Sequence, residues 1–539
     1  MAAPCHPDPT EKDPRHRSCA PKEYVSPIVW DGADNLLFRP LSELWTFRHS
    51  SEAANATSLD EVADSAWFTN RLGAHPLSPE ELTRAACQPE DLLDPEGASD
   101  GSWVVDRGKM DGSSKGFRVN IGGRKYMLKV DDVPEHPSAA STIGAAAYNA
   151  VGFYTSCEQI VYFRPSVLSI KPGLKYKGNF SEERPFDQAV LDSIVGLAPR
   201  RGGLVRFQAS KWLPGKTLGP FTYAGTRADD RNDIIPHQDR RELRGGRLLA
   251  AWIDHFDARE QNTMNVWLSD RADAPDSSPG HIVHYYLDTS DCLGSMWAWE
   301  QITRRLGYSY VVDWSDVGRD FFTLGIPRRP WDTVTKTRGH EQFQYFDVEH
   351  FVPEDWKNEY ANPAFERMTE RDAAWMARIL ARFTPPMVRA LAEMARFSRP
   401  DETDYLTGVL EGRLEKILER YLLRLAPLAD VTFAGDELCA TDLAEQRALR
   451  PVEAFRYTVR SVPGGWLQAR RRAGGVVCST VPHVDVAPGA PDDDPSRYVK
   501  LVIRDGVARG ALVAHAYDLG PGRGFVLVGL ERPEGDDEP

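Results

Sequence analysis

Long hydrophobic runs are missing from this chain of 539 residues. None approaches the roughly 18 apolar residues that a membrane-spanning helix requires, so no transmembrane segment is expected. The opening stretch MAAPCHPDPTEKDPRHRSCAPKE lacks the apolar centre of a secretory signal, which points to the cytoplasm unless an export or lipoprotein signal once preceded Cys5. Positive charge is short as well. Lys and Arg number 65 against 79 Asp and Glu, a net charge of −14. Clustered cations are what neutralise a phosphate backbone, so nucleic acid is not an expected partner. The runs Arg200–Arg201, Arg240–Arg247 and Arg470–Arg472 read as solvated faces. Seven cysteines are scattered without a C-x-x-C pair. That argues against structural zinc and a dense disulfide framework, and the odd count leaves at least one thiol unpaired. There is no G-x-x-x-x-G-K-[ST] phosphate loop and no His pair four residues apart, so P-loop and helical zinc chemistry fall away.

What is present is patterned as a globular chain of several domains, with 41% apolar and 27% charged residues. Residues 1–24, Pro-rich and charged, read as a disordered tail. Residues 25–100 mix short apolar clusters with polar turns and read as an extended segment packed on a larger body. From Trp103 the pattern turns to strands, at Trp103–Val105, Phe117–Val119 and Tyr126–Val130, with glycines supplying turns. A helix over Ala139–Val151 and strands at Gln159–Phe163 and Leu204–Leu213 complete a β-rich unit, residues 101–213. Residues 214–429 are mainly helical. Apolar stripes at helical spacing mark Glu242–Phe256, Arg371–Phe383, Pro385–Phe397 and Thr403–Leu425, and Thr369 with Asp372 forms a helix-start cap. Two strands, Met264–Leu268 and Ile282–Leu287, interrupt this unit. Residues 430–539 carry short strands with their own turn signals, a small all-β domain. The class is α+β, and a β-rich lobe joined to a helical one encloses a cleft.

The chemistry-bearing residues converge on that cleft. Phosphoryl transfer needs a Lys to orient phosphates, a carboxylate to align the nucleophile and oxygen ligands for Mg²⁺. WIDHFDAREQNTMNVWL holds Asp257 and Asn262 at D-x-x-x-x-N spacing, the Asp just after a helix and the Asn just before a strand. His255 stands two residues ahead of Asp257. HIVHYYLD is an apolar strand ending in Asp288, where a carboxylate wants a metal or a partner. In RKYMLKV, alternation puts Lys129 on the face of Met127, read as the interior face, where an ammonium wants a phosphate or carboxylate. DGSSKGF precedes that strand. Gly112 and Gly116 would give it flexibility, and Ser113 and Ser114 backbone donors, as a loop over phosphates.

These stretches resemble a largely uncharacterised bacterial group related to the HipA-type and CotH-type atypical kinases. The resemblance is carried by DEVADSAWFTNR (60–71), KGFRVNIGGRKYMLK (115–129), LPGKTLGPFTYAGTRADDRNDIIPHQDRRELRG (213–245), AAWIDHFDAREQN (250–262), HYYLDTSDCLGS (284–295) and DWKNEYANPAF (355–365). It implies a two-lobed protein-kinase-like fold with a β-rich N-lobe at 101–213 and a helical C-lobe at 214–429. It further implies Asp257 as catalytic carboxylate with Arg259 beside it, Asn262 and Asp288 as metal ligands, and ATP with Mg²⁺ or Mn²⁺ as cofactors. The acceptor is open between protein and small molecule, and the C-terminal β domain is a candidate for partner binding. Two positions depart from the group's pattern. The acid expected early in the helix after the Lys strand is Ser141, with Glu135 the nearest upstream carboxylate to replace it. The Asp-Phe-Gly expected after the last strand reads Asp288-Thr289-Ser290. The alternatives to a phosphotransferase are therefore a pseudokinase scaffold and an AMP transferase using the same site.

Overall fold

The structure is a computed structural model that describes residues 20–25, 28–43, 51–110, 114–131, 133–177, 182–271, 273, 278–294 and 303–534. Strands β1 (Trp103–Lys109), β2 (Gly116–Ile121) and β3 (Arg124–Lys129) form an antiparallel meander. Gly122 and Gly123 both take positive φ, the two-residue turn whose twist matches a hairpin. Helix α1 (His136–Val151) follows, then β4 (Glu158–Phe163) and β5 (Leu204–Lys211). Sheet order is β4-β5-β3-β2-β1, with short strand Leu168–Ile170 added parallel to β1. One face buries Tyr126, Leu128, Phe163 and Phe207 in its own core. That core is closed by helix Gln188–Leu197, which was not among the expected elements; Asp187 caps its start through Val190 N. Met127 and Lys129 point the other way, toward α1. They share a face as expected, but it is the less buried one: the interior face belongs to Tyr126 and Leu128.

The second body is helical. Its framework is α2 (Arg241–Ile253), α3 (Glu370–Leu380), α4 (Pro385–Glu393) and α5 (Pro400–Ile417). The Thr369–Asp372 capping box is formed. The stripe expected to run to Leu425 gives way after Ile417 to a wider turn, Leu418–Leu422. Helix α2 runs through the middle of this body. Trp252 Nε1 donates to Leu410 O at 2.8 Å, and Arg413 donates to Ala251 O and Trp252 O, which satisfies the last carbonyls of α2. Strands β6 (Thr263–Ser269) and β7 (Gly280–Tyr286) form a hairpin beside it. No helix among the described residues is long and apolar enough to cross a membrane.

The C-terminal region consists of two antiparallel sheets, of four and five strands, around their own apolar core. Its first strand, Leu428–Ala434, straddles the expected boundary at residue 430. Cys439 and Cys478, paired across two strands, form a disulfide, and Cys87–Cys157 form another; Cys292 is free and buried.

Residues 51–93 do more than drape over the surface. Val62, Trp67, Phe68, Leu72 and Leu82 are buried in the main helical core. Between them, Asp60 accepts from Arg241 of α2, Arg378 of α3 and Arg532 beyond the last strand. Burial works against the Asp60 carboxylate, but the three guanidinium groups hold its pKa far below the ordinary range. A carboxyl depressed in the folded state stabilises fully above its unfolded pKa, about 3.9, and loses that contribution as pH falls. Asp60→Asn is expected to cost about 3–5 kcal/mol at pH 7, because three buried cations lose a shared counter-charge. Urea melts should show the gap from wild type narrowing steadily below about pH 4. An unchanged midpoint at pH 7 would refute this role.

Candidate active site

Lys129 is the last residue of β3 and Asp288 lies just past β7, yet the fold brings them together. Lys129 Nζ donates to Asp288 Oδ2 at 2.8 Å. Burial alone would lower the Lys129 pKa, but Asp288 raises it. Burial likewise pushes Asp288 up, yet Lys129 and the Ser290 hydroxyl, which donates to Asp288 Oδ1 at 2.6 Å, hold it well below the usual carboxylate range.

The loop from α2 to β6 carries the rest. Asp254, in the left-handed region at φ 54°, ends α2 and turns the chain. His255 is buried, with Nδ1 2.8 Å from the Tyr148 hydroxyl of α1, and burial lowers its pKa to about 4, so the ring is neutral. It serves as a packed bridge between the bodies. Asp257 is buried and ion-paired to Arg259 at 2.8 Å; Arg259 also reaches Glu359 at 3.3 Å. Burial raises the Asp257 carboxyl well above its ordinary range and Glu359 adds to this, against the pull of Arg259. Asn262 Nδ2 donates to Asp257 O at 2.8 Å, which leaves its amide oxygen as an acceptor. Its backbone carbonyl accepts from Leu287 N at 3.0 Å, so Asn262 sits beside the chain entering Asp288.

Asp257, Asn262, Asp288 and Lys129 are therefore one constellation. Two carboxylates join it that sequence reasoning passed over. Asp291, three residues past Asp288, is raised by burial and by Asp257 and Asp288. The signal was there, a second acid in LDTSD. Glu359 came from a stretch quoted only for resemblance, and its place depends on Glu359 N donating to Phe256 O at 2.6 Å. Among the described residues these four carboxylates, Asp257 and Glu359 buried and Asp288 and Asp291 partly so, face Lys129 and Arg259, and carboxylate oxygens are the ligands a hard divalent cation takes.

The loop residues are placed differently from one another. Gly112 and Ser113 lie outside the described residues. Ser114 is buried, and its carbonyl accepts from Lys109 Nζ at 2.9 Å. Gly116 belongs to β2, opposite Lys129 rather than in the loop. A Cβ there would stand 2.2 Å from Leu128 O, so the close approach of strands, not flexibility, requires the glycine. Glu135 does not reach Lys129. It turns away at φ 68° and accepts from Ser398 N at 2.8 Å. Ser141 is buried and receives Gln208 Nε2 at 2.6 Å. Thr289 donates to Ser141 O at 3.0 Å, and a Cβ on Gly144 would meet its side chain at 2.7 Å; a glycine there lets α1 close onto the segment after Asp288.

A cavity of about 1090 Å³ is walled in part by Tyr308, Trp331, Trp356 and Tyr360, and none of Lys129, Asp257, Asn262 and Asp288 lines it. Asp254 and Tyr360 connect it to the Asp257 loop.

No family model matches the chain, and no curated protein matches it. Among solved structures it is similar to the Helicobacter pylori proinflammatory kinase CtkA, with 10% identity and a TM-score of 0.31 over 61% of this chain and 96% of that one. A likeness of that degree carries no weight, and the functional reading rests on the site's geometry.

Lys129→Met is expected to destabilise the fold at neutral pH by leaving Asp288 unpaired. Asp288 is depressed in the fold, so the pair's contribution fades as pH falls below about 4. Lys129 is raised, so the contribution also fades as pH climbs above about 10. Melting temperatures of both proteins across pH should differ most between these limits. A pH-independent difference would assign Lys129 a packing role only.

Proposed function

We propose that this chain is an ATP-dependent phosphotransferase of the protein-kinase-like class. The carrying observation is the convergence of Lys129, on the third strand of a β-rich lobe, with Asp288, Asp257 and Asn262 of the helical body. Protein kinases place their phosphate-orienting Lys on the third strand, with a catalytic-loop Asp followed by a metal-binding Asn and a further Asp past the next strands. The strand order and the position of α1 after β3 agree with that plan.

In this reading Lys129 orients the phosphates. Asn262 and Asp288 would hold Mg²⁺ or Mn²⁺, which neutralises phosphate charge when bound. Asp257, with its pKa raised by burial, accepts the acceptor's hydroxyl proton, and Arg259 fixes its carboxylate between the loop and Glu359. The two disulfides favour an oxidising compartment over the cytoplasm. The C-terminal sheets would serve a partner. Ser141, standing where an acid is expected, favours one rival, a scaffold that binds nucleotide without turnover.

ATP with Mg²⁺ should raise the melting temperature; at 100-fold its dissociation constant a ligand adds about 2.7 kcal/mol. Asp288→Asn should weaken that cation-dependent binding and abolish turnover. Asp257→Asn should bind nearly as wild type but lose on the order of 10²–10⁴ in transfer. Autolabelling from γ-labelled ATP supports a kinase, and from α-labelled ATP an AMP transferase. Binding without either label supports the scaffold, and no shift with any nucleotide and metal at millimolar concentration rejects the site.

A further inference from the structure

The acid absent from α1 has a counterpart elsewhere in the same face. Glu158, at the start of β4, is buried. Its Oε1 accepts from Ser156 Oγ at 2.5 Å, and its Oε2 from Ser210 Oγ at 2.5 Å and Gln208 Nε2 at 2.9 Å. Strand register fixes where it points. Gln208 stands opposite Lys129 on one side and Ile160 on the other, while Ser210 stands opposite Met127 and Glu158. Directly paired residues share a face, so Lys129, Gln208, Ser210 and Glu158 all lie on the face toward α1. Glu158 is two strands from Lys129, about 10 Å across the ladder.

Gln208 joins the two places where an acid could stand. The same Nε2 donates to Ser141 Oγ on α1 and to Glu158 Oε2 on the sheet. Hydroxyl and amide donors hold the carboxylate in place, yet among the described residues no cation lies within ion-pairing distance of it. A buried carboxylate held this way is costly without a counter-charge. The nearby cation on this face is Lys129, whose ammonium Glu158 already influences, although it is turned to Asp288. Asp288 cannot serve Lys129 and a divalent cation equally well.

We propose that Glu158 is the positioning carboxylate for Lys129, taking over its ammonium when Asp288 turns to a bound metal–nucleotide complex. The sheet thereby supplies what the helix lacks. Ser141 leaves room for the relay, and Glu158 acts through Lys129 rather than by touching the reacting atoms. This rests on the phosphotransferase reading.

The test compares Mg·ATP with adenosine, which has no phosphates for Lys129 to orient. Dissociation constants come from thermal shift on the full chain. Wild type should prefer Mg·ATP. Glu158→Gln should lose about tenfold or more of that preference, with adenosine affinity unchanged. In a Lys129→Met background the same substitution should have no further effect, since coupled residues are non-additive. Ser141→Glu added to Glu158→Gln should restore part of the preference, which a purely structural role for Glu158 would not allow. If Glu158→Gln does not fold, Glu158→Asp, which keeps the charge but shortens its reach, should lose a smaller part of the preference. Wild-type preference for Mg·ATP with no loss in the folded Glu158 variant overturns this proposal alone. A wild type that binds no nucleotide overturns the phosphotransferase reading and this proposal with it.

Discussion

Much of this structure hangs on one carboxylate. Asp60 takes guanidinium groups from Arg241, Arg378 and Arg532, which come from the central helix, the next long helix and the end of the C-terminal sheets. A buried charge is tolerated only with compensation, so this node fixes three distant chain segments against the N-terminal segment at once. Nearby, Leu530 N donates to Ser58 O, and Trp375 donates to Glu61. The N-terminal segment is thus an internal brace between the helical body and the C-terminal sheets.

That brace matters for chemistry because α2 is its central member. The helix held by Arg241 at its first turn is held by Arg413 at its last, and the loop leaving it carries Asp257 and Asn262. Opposite it, α1 is closed against the segment after Asp288 by Thr289 on Ser141 and by His136 on Leu293 O. A loop held between a packed helix and a strand can keep several like charges close together, which a free loop would relieve by moving apart. Among the described residues the cluster of Asp257, Asp288, Asp291 and Glu359 has Lys129 and Arg259 against it, and like charges gathered this way cost stability.

The Lys129–Asp288 pair also sets the state of the site. Each partner satisfies the other, which stabilises the closed face and leaves Glu158 held only by neutral donors. A ligand that binds Asp288 and a ligand that binds Lys129 both compete with that pair. A metal–nucleotide complex, the ligand proposed above, would offer both at once.

Local pattern was enough to find the long helices, the β2–β3 hairpin, the β6–β7 pair and the strands near the C-terminus, because a 3.6 or 2.0 period and glycine turns are written in neighbouring residues. Lys129, by alternation within an expected strand, and Asp257, Asn262 and Asp288, at expected element ends, were picked out from the chain, and the fold brings them together. Helix Gln188–Leu197 was missed although Leu191, Ile194, Val195 and Ala198 make an i, i+3, i+4, i+7 stripe and Asp187 marks its start. Sequence proximity favoured Glu135 as the partner of Lys129, while Glu158, farther along the chain, reaches the same face through strand β5. Burial alternation named Met127's face as the interior, but which face of a sheet becomes core depends on which helix lands on it, and that helix was not seen. The Asp60 node, Glu359 and the relay through Gln208 join residues whose partners lie up to hundreds of positions away. Only the closed fold decides such contacts, because they arise from packing whole elements together and leave no period in the chain.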